Sequence, residues 1–149
     1  MTGPATVHGS AVLLAETGIL IRGASGSGKS ALVLELLAAE PESARLVADD
    51  RVILTAANGR LLADVPAAIA GLIELRRVGL LRRSFVAPVV IRLVVDLVPA
   101  ESVSRLPETA DAETAVEGIV LPRLALAVGR AGGALRVRVA LAGLPSLPG

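Results

Sequence analysis

Gly23-Ala24-Ser25-Gly26-Ser27-Gly28-Lys29-Ser30 fits the phosphate-binding pattern G-x-x-x-x-G-K-[ST]. In that pattern glycines let the backbone pass close to phosphate oxygens and take up positive φ. N–H groups of the loop and of the helix behind it point partial positive charge at an anion. Lys29 is then placed to reach the outer phosphates, and the Ser30 hydroxyl to ligate Mg²⁺. Downstream, the apolar run Arg45-Leu46-Val47-Ala48 ends in Asp49-Asp50. Carboxylates at the C-terminal end of a strand beside a phosphate loop sit where a magnesium ion or a nucleophile belongs. Adjacent side chains of an extended segment point to opposite faces. Only one of the pair can therefore aim at a γ-phosphate, unless the strand has already ended. Glu74 is one acid beside four arginines, Arg76, Arg77, Arg82 and Arg83. That stretch reads equally as a solvated basic face or as a metal-ligating glutamate with cations for phosphates or for an acidic partner. His8 is the only histidine. Alone it reads as a surface residue, and Arg105 alone says nothing about chemistry.

The flanks supply the elements that must position these groups. Gly18–Arg22 is a short apolar run rich in β-branched residues, and Ala31–Ala38 holds strong helix formers with no breaker. Strand, glycine turn and helix are the context the motif needs. Ala11–Ala15 reads as a strand, and the turn Glu16-Thr17-Gly18 makes it a hairpin partner of the loop's own strand. Asn58-Gly59 between Arg51–Ala56 and Arg60–Val65 is a strong hairpin signal. Pro88–Val98 is nearly continuous in Val, Ile and Leu, which predicts a central strand covered on both faces. Pro99–Ala112 reads as a polar loop. Leu121–Val128 and Ala134–Ala142 read as two more strands, the second because Arg136 and Arg138 alternate with apolar neighbours. Gly143–Gly149 reads as a frayed tail. One long helix against seven or eight candidate strands argues against alternating βαβ units. It predicts an α/β chain that is rich in strands, with a mixed, largely antiparallel sheet holding the phosphate loop.

The 149 residues predict a single domain, 1–149, with a sizeable core. The hydrophobic fraction is 53%, drawn from Ala, Leu and Val, and Phe85 is the one aromatic residue. A net charge of +1 gives no bulk field to draw nucleic acid or a membrane surface. The lack of aromatic platforms disfavours single-stranded nucleic acid. With no cysteine there are neither disulfides nor thiolate metal sites. No apolar run reaches the roughly 18 uncharged residues of a membrane span, since Arg92 and Asp96 interrupt the best candidate, and the N-terminus lacks a signal-peptide pattern. A soluble, cytoplasmic protein is expected.

Taken together, Val7-His8-Gly9, Gly23–Ser30, Leu46-Val47-Ala48-Asp49-Asp50-Arg51-Val52 and Glu74-Leu75-Arg76-Arg77-Val78-Gly79-Leu80-Leu81 resemble, in order and spacing, HPr kinase/phosphorylase. That bacterial enzyme phosphorylates a serine of the phosphocarrier protein HPr. The resemblance covers essentially the whole chain, which looks like the short form made of the C-terminal catalytic domain. It implies a fold like that of phosphoenolpyruvate carboxykinase. It implies catalytic roles for His8, Lys29, Asp49, Asp50 and Arg105, with Gly23, Ala24, Ser25, Gly26, Ser27, Gly28, Lys29 and Ser30 binding ATP and with Ser30 and Glu74 as Mg²⁺ ligands. It implies an HPr-like protein as substrate, a hexamer, and a role in regulating the phosphotransferase system. Several positions depart from the family pattern. Arg77 stands where the signature segment has Gly, Ala31 where Glu is common, and Ala127–Gly133 carries one cation where the family's basic loop has two. The kinase direction is therefore better supported than phosphorolysis. Open at this level are which of Asp49 and Asp50 is the base, whether ATP or pyrophosphate is the preferred donor, and two rival readings: a small-molecule kinase and a nucleotide-sensing module without catalysis.

Overall fold

The computed structural model describes residues 4–103 and 112–144. The main sheet runs in the order β1 (Ala5–His8), β5 (Arg51–Ala57), β6 (Arg60–Asp64), β9 (Val89–Val98), β3 (Thr17–Gly23), β2 (Ser10–Leu14), β4 (Ala44–Ala48). β9 is its axis. One edge of β9 pairs with β3 in parallel; the other pairs antiparallel with β6 at its start and parallel with β11 (Ile119–Ala127) at its end. Every other pairing between these strands is antiparallel among the described residues, including β10 (Glu113–Val116) with β11 and a separate hairpin of β7 (Leu72–Leu75) and β8 (Gly79–Arg82). The expected mixed, strand-rich sheet is what the sequence folds into.

Strand β9 is apolar on both faces because both are covered. Val89, Ile91 and Val94 pack into one buried cluster with Leu20, Val52, Leu54 and Leu61. Leu93 and Val95 pack into the other, with Ile19, Ile21 and the apolar face of helix α1 (Lys29–Ala39). The alternation slips at Arg92, where the register against β3 jumps from Gly18↔Ile91 to Ile19↔Leu93. Such a bulge lets a strand change which side chains it sends to each face. Gly18 sits at the slip, where a Cβ would come within 2.3 Å of the Val90 carbonyl oxygen.

The β5–β6 turn is the one the Asn-Gly pair predicts, with positive φ at Asn58 (53°) and Gly59 (74°). One expected strand is a helix. Ala134–Ala142 lies within α2 (Gly133–Ala142). Val137 is fully buried, and Ala134, Ala140 and Leu141 pack beside it against the α1 side of the core. Helical spacing thus outweighs the alternation of the two arginines, and Arg138 reaches across to Glu40 at the end of α1 (2.8 Å). Strand β10 is a strand that no sequence pattern above predicts; its marker is Glu117-Gly118, both at positive φ, turning the chain into β11. Most of the Pro99–Ala112 loop, Arg105 included, and most of the 143–149 tail lie outside the described residues. Among the described residues no helix is long and apolar enough to cross a membrane.

Candidate active site

The glycine-rich loop joins β3 to α1. Gly26 (φ 82°) and Gly28 (φ 102°) occupy the left-handed region, where a side chain is disfavoured. Gly23 is required for a different reason: a Cβ there would meet the Ser27 hydroxyl at 2.6 Å and Leu97 at 3.1 Å. No side chain caps the N-terminus of α1, and its first turn contains no acid. The leading N–H groups of the helix and its positive dipole end are therefore available to an anion. Lys29 is buried beneath the loop, where its Nζ donates to the carbonyls of Gly23 (2.8 Å) and Ala24 (3.0 Å). Burial lowers the pKa of its ammonium, against the opposing pull of the nearby Asp49 and Asp50 charges.

The acidic pair is brought to the loop by the way β4 ends. β4 stops at Ala48, and a three-residue turn follows in which the Arg51 N–H reaches the Asp49 carbonyl (2.9 Å) across Asp50, at φ 72°. A non-glycine residue at that φ carries local strain, which is found where a site needs it. Because the strand has already ended, the opposite-face rule no longer separates the two carboxylates, and both line the same cleft. Their surroundings differ. Asp49 is buried and accepts from the hydroxyls of Ser10 (2.7 Å) and Ser30 (2.9 Å to each carboxylate oxygen) and from the Glu74 N–H (3.3 Å). Asp50 is exposed, with His8 Nδ1 3.4 Å from its carboxylate. His8 comes to this point because β1 runs antiparallel to β5, His8 opposite Arg51.

The cleft has a volume of about 460 Å³, and its walls bring together His8, Lys29, Ser30, Asp49, Asp50 and Glu74. Arg105 alone of the candidate catalytic residues is not placed, being outside the described residues. Glu74 lies on β7 with its backbone bonded to Asp49 and its side chain exposed toward the cleft. Arg76 arches over the loop, its guanidinium 3.7 Å from where a Cβ on Gly26 would stand. Two features escaped the sequence reading. Ser10, wholly buried, is the only polar side chain of β2 and bonds directly to Asp49. Arg22, the residue before the loop, makes a two-point bond to Asp96 (2.8 and 2.9 Å), which Arg123 also holds (2.6 Å). A serine at the head of an apolar strand, and an arginine and an aspartate in mostly apolar strands, are the available signals.

Among the described residues no three carboxylate or imidazole side chains converge to form a complete metal cage. Oxygen donors on the cleft wall include the Ser30 hydroxyl and the carboxylates of Asp49, Asp50 and Glu74, and of these Ser30, Asp49 and Glu74 adjoin one another through the Ser30–Asp49 bond and the Glu74 N–H. That set suits Mg²⁺, which keeps waters and takes one or two carboxylates plus substrate phosphates.

A glycine-rich loop at a helix N-terminus, a buried lysine and an acidic turn meet at one cleft of a strand-rich α/β fold whose mixed sheet is mainly antiparallel. Residues 1–132 match the family model described as the HPr Serine kinase C-terminal domain, and the chain belongs to that family. It is similar to the HPr kinase/phosphorylase of Limosilactobacillus reuteri, 31% identical over 134 residues that cover 83% of this chain and 41% of the relative. It is also similar to the HPr kinase/phosphorylase of Clostridium tetani, 40% identical over 50% of this chain and 24% of the relative. The chain thus matches between about a quarter and two fifths of these relatives' length. Among solved structures, that titled Hpr(Ser) kinase/phosphatase from Coxiella burnetii superposes with a TM-score of 0.75, covering 93% of both chains at 24% identity, a likeness of fold.

Proposed function

We propose that this chain is a protein-serine kinase that transfers the γ-phosphoryl group of ATP to a serine of HPr or an HPr-like phosphocarrier. It would serve phosphotransferase-system regulation as a cytoplasmic homo-oligomer, a hexamer by resemblance. The observation that carries the reading is the convergence of Lys29, Ser30, Asp49, Asp50 and His8 on one cleft in a chain of this family. Pyrophosphate, with similar phosphate oxygens, is the alternative donor, and phosphorolysis of the product is the reverse reaction.

Catalysis of this kind rests on positioning and on charge neutralisation. Two of the three Nζ–H donors of Lys29 hold the loop in shape, which leaves a third for a phosphate oxygen. Ser30, Asp49 and Glu74 would hold Mg²⁺, which when bound neutralises charge on the β- and γ-phosphates. Asp49 is engaged by three donors, which hold its carboxylate in place beside Ser30. Asp50 is open to solvent and to an incoming hydroxyl, so it takes the serine proton as the serine oxygen bonds to the γ-phosphorus and ADP leaves. In reverse it returns that proton. His8 steadies the Asp50 carboxylate and shares its proton. Arg105, by resemblance, stabilises charge on the transferring group.

Asp50→Asn and Asp49→Asn separate these roles. Asp50→Asn is expected to abolish transfer and leave the affinity for Mg²⁺–ATP near wild type, while Asp49→Asn weakens that affinity as well. Transfer retained by Asp50→Asn would place the base elsewhere.

A further inference from the structure

We propose that Ser10 is a positioning residue for the nucleotide site: its buried hydroxyl fixes Asp49 so that the other carboxylate oxygen faces the metal–phosphate side of the cleft. The inference rests on the reading that the cleft takes a magnesium–nucleotide.

Asp49 is held from three elements, and the three grips are not equivalent. Ser30 lies 2.9 Å from both carboxylate oxygens, but a hydroxyl has one hydrogen and can donate to one of them at a time. Ser30 also faces the cleft, so a bound ligand competes for it. The Glu74 N–H, at 3.3 Å from Oδ2, is long, and it belongs to a strand on the cleft wall. Ser10 differs on both counts. Its bond to Oδ1 is the shortest, at 2.7 Å, and the residue is fully buried and does not line the cleft. A ligand entering the cleft leaves that bond in place.

The backbone is shaped to make this contact. The β2–β4 register shifts between Ala11, which pairs with Ala48, and Val12, which pairs with Leu46. The extra residue on β4 is a bulge, a device that re-aims the side chains beyond it. Just past it the Gly9 N–H bonds to the Asp50 carbonyl (3.1 Å), which pins the acidic turn against the start of β2. Every other side chain of β2 is apolar, so the strand does not need a hydroxyl for its own packing. The hydroxyl is accounted for by Asp49.

The test compares the affinity of the full chain for ATP with excess Mg²⁺ and for ATP with chelator, by calorimetry, for wild type, Ser10→Ala and Ser10→Cys. A partner that orients a metal-site ligand is typically worth about 10-fold or more in affinity. The expected result is that Ser10→Ala loses about 10-fold in Mg²⁺–ATP affinity with metal-free ATP affinity unchanged, because only the metal-dependent part needs Asp49 in place. Ser10→Cys, close in size and a weak donor, should show the same selective loss if the alanine variant does not fold. A Ser10 variant that keeps the wild-type ratio of the two affinities, or lowers both equally, overturns the proposal and leaves the functional reading standing. A wild-type chain that binds neither form of ATP overturns the functional reading and this one with it.

Discussion

Lys29→Met separates chemistry from folding at the centre of the site. The substitution keeps most of the side chain's length and apolar stem and removes the ammonium. In the folded chain that ammonium is buried, donates to the Gly23 and Ala24 carbonyls at 2.8 and 3.0 Å, and lies within electrostatic reach of Asp49 and Asp50. Losing hydrogen bonds from a charged donor costs about 1.5–3 kcal/mol each. Relieving the burial of a charge works in the opposite direction, as the lowered pKa of Lys29 shows. The two effects oppose each other, so the net change in stability should be smaller than the loss of the two hydrogen bonds alone. Nothing offsets the loss in the transition state. A preorganised electrostatic donor is worth roughly 2–4 kcal/mol there, which is about 30- to 1,000-fold in kcat/KM. The assay pairs steady-state phosphotransfer with thermal unfolding of the same preparation. A fall of about two orders of magnitude with only a modest change in Tm is expected. Near-wild-type kinetics would refute Lys29 as a phosphate ligand. A collapse of Tm would refute the opposition of the two stability effects.

The other predictions concern the frame of the site. Asp96 is held below its ordinary pKa of 3.8: burial pushes it up, but the hydrogen bonds and charges of Arg22 and Arg123 outweigh burial. A depressed carboxylate stabilises the fold above the unfolded pKa, and that contribution is lost as pH falls from about 3.8 through the folded value. Thermal unfolding across an acid pH series should show this limb in wild type and lose it in Asp96→Asn. At neutral pH the same variant, in which two partly exposed arginines lose this carboxylate's charge, should lose about 2 kcal/mol, discounted from the figure for a fully buried pair. Gly18→Ala drives a methyl into the Val90 carbonyl at 2.3 Å and should cost roughly 1–3 kcal/mol, read from denaturant unfolding; an unchanged midpoint would contradict the β3–β9 bulge.

The parts of the fold that the sequence displayed are those where local chemistry and tertiary packing agree. The loop needs its glycines whatever surrounds it, Asn58-Gly59 closes a two-residue turn by itself, and β9 is apolar because both of its faces are covered. Helix α2 was hidden because its buried stripe is narrow, with Val137 alone fully inside, while two exposed arginines two residues apart imitate a strand. Asp49 and Asp50 could be picked out, but not told apart. Their difference lies in Ser10, 39 positions away from Asp49, and in a turn at Asp50 that no local pattern announces. The Arg22–Asp96–Arg123 cluster is likewise made by strand register, which places Arg22 opposite Asp96 in a parallel pair.

The central claim is a phosphoryl transfer, and intact-protein mass spectrometry tests it most directly. The purified chain is incubated with Mg²⁺, ATP and the HPr-like proteins of its own source. The account predicts that one carrier gains the mass of a single phosphoryl group on a serine, and that Asp50→Asn leaves the carrier unmodified. Carriers that stay unmodified with wild type, under conditions where Mg²⁺–ATP binding is demonstrated, would contradict it.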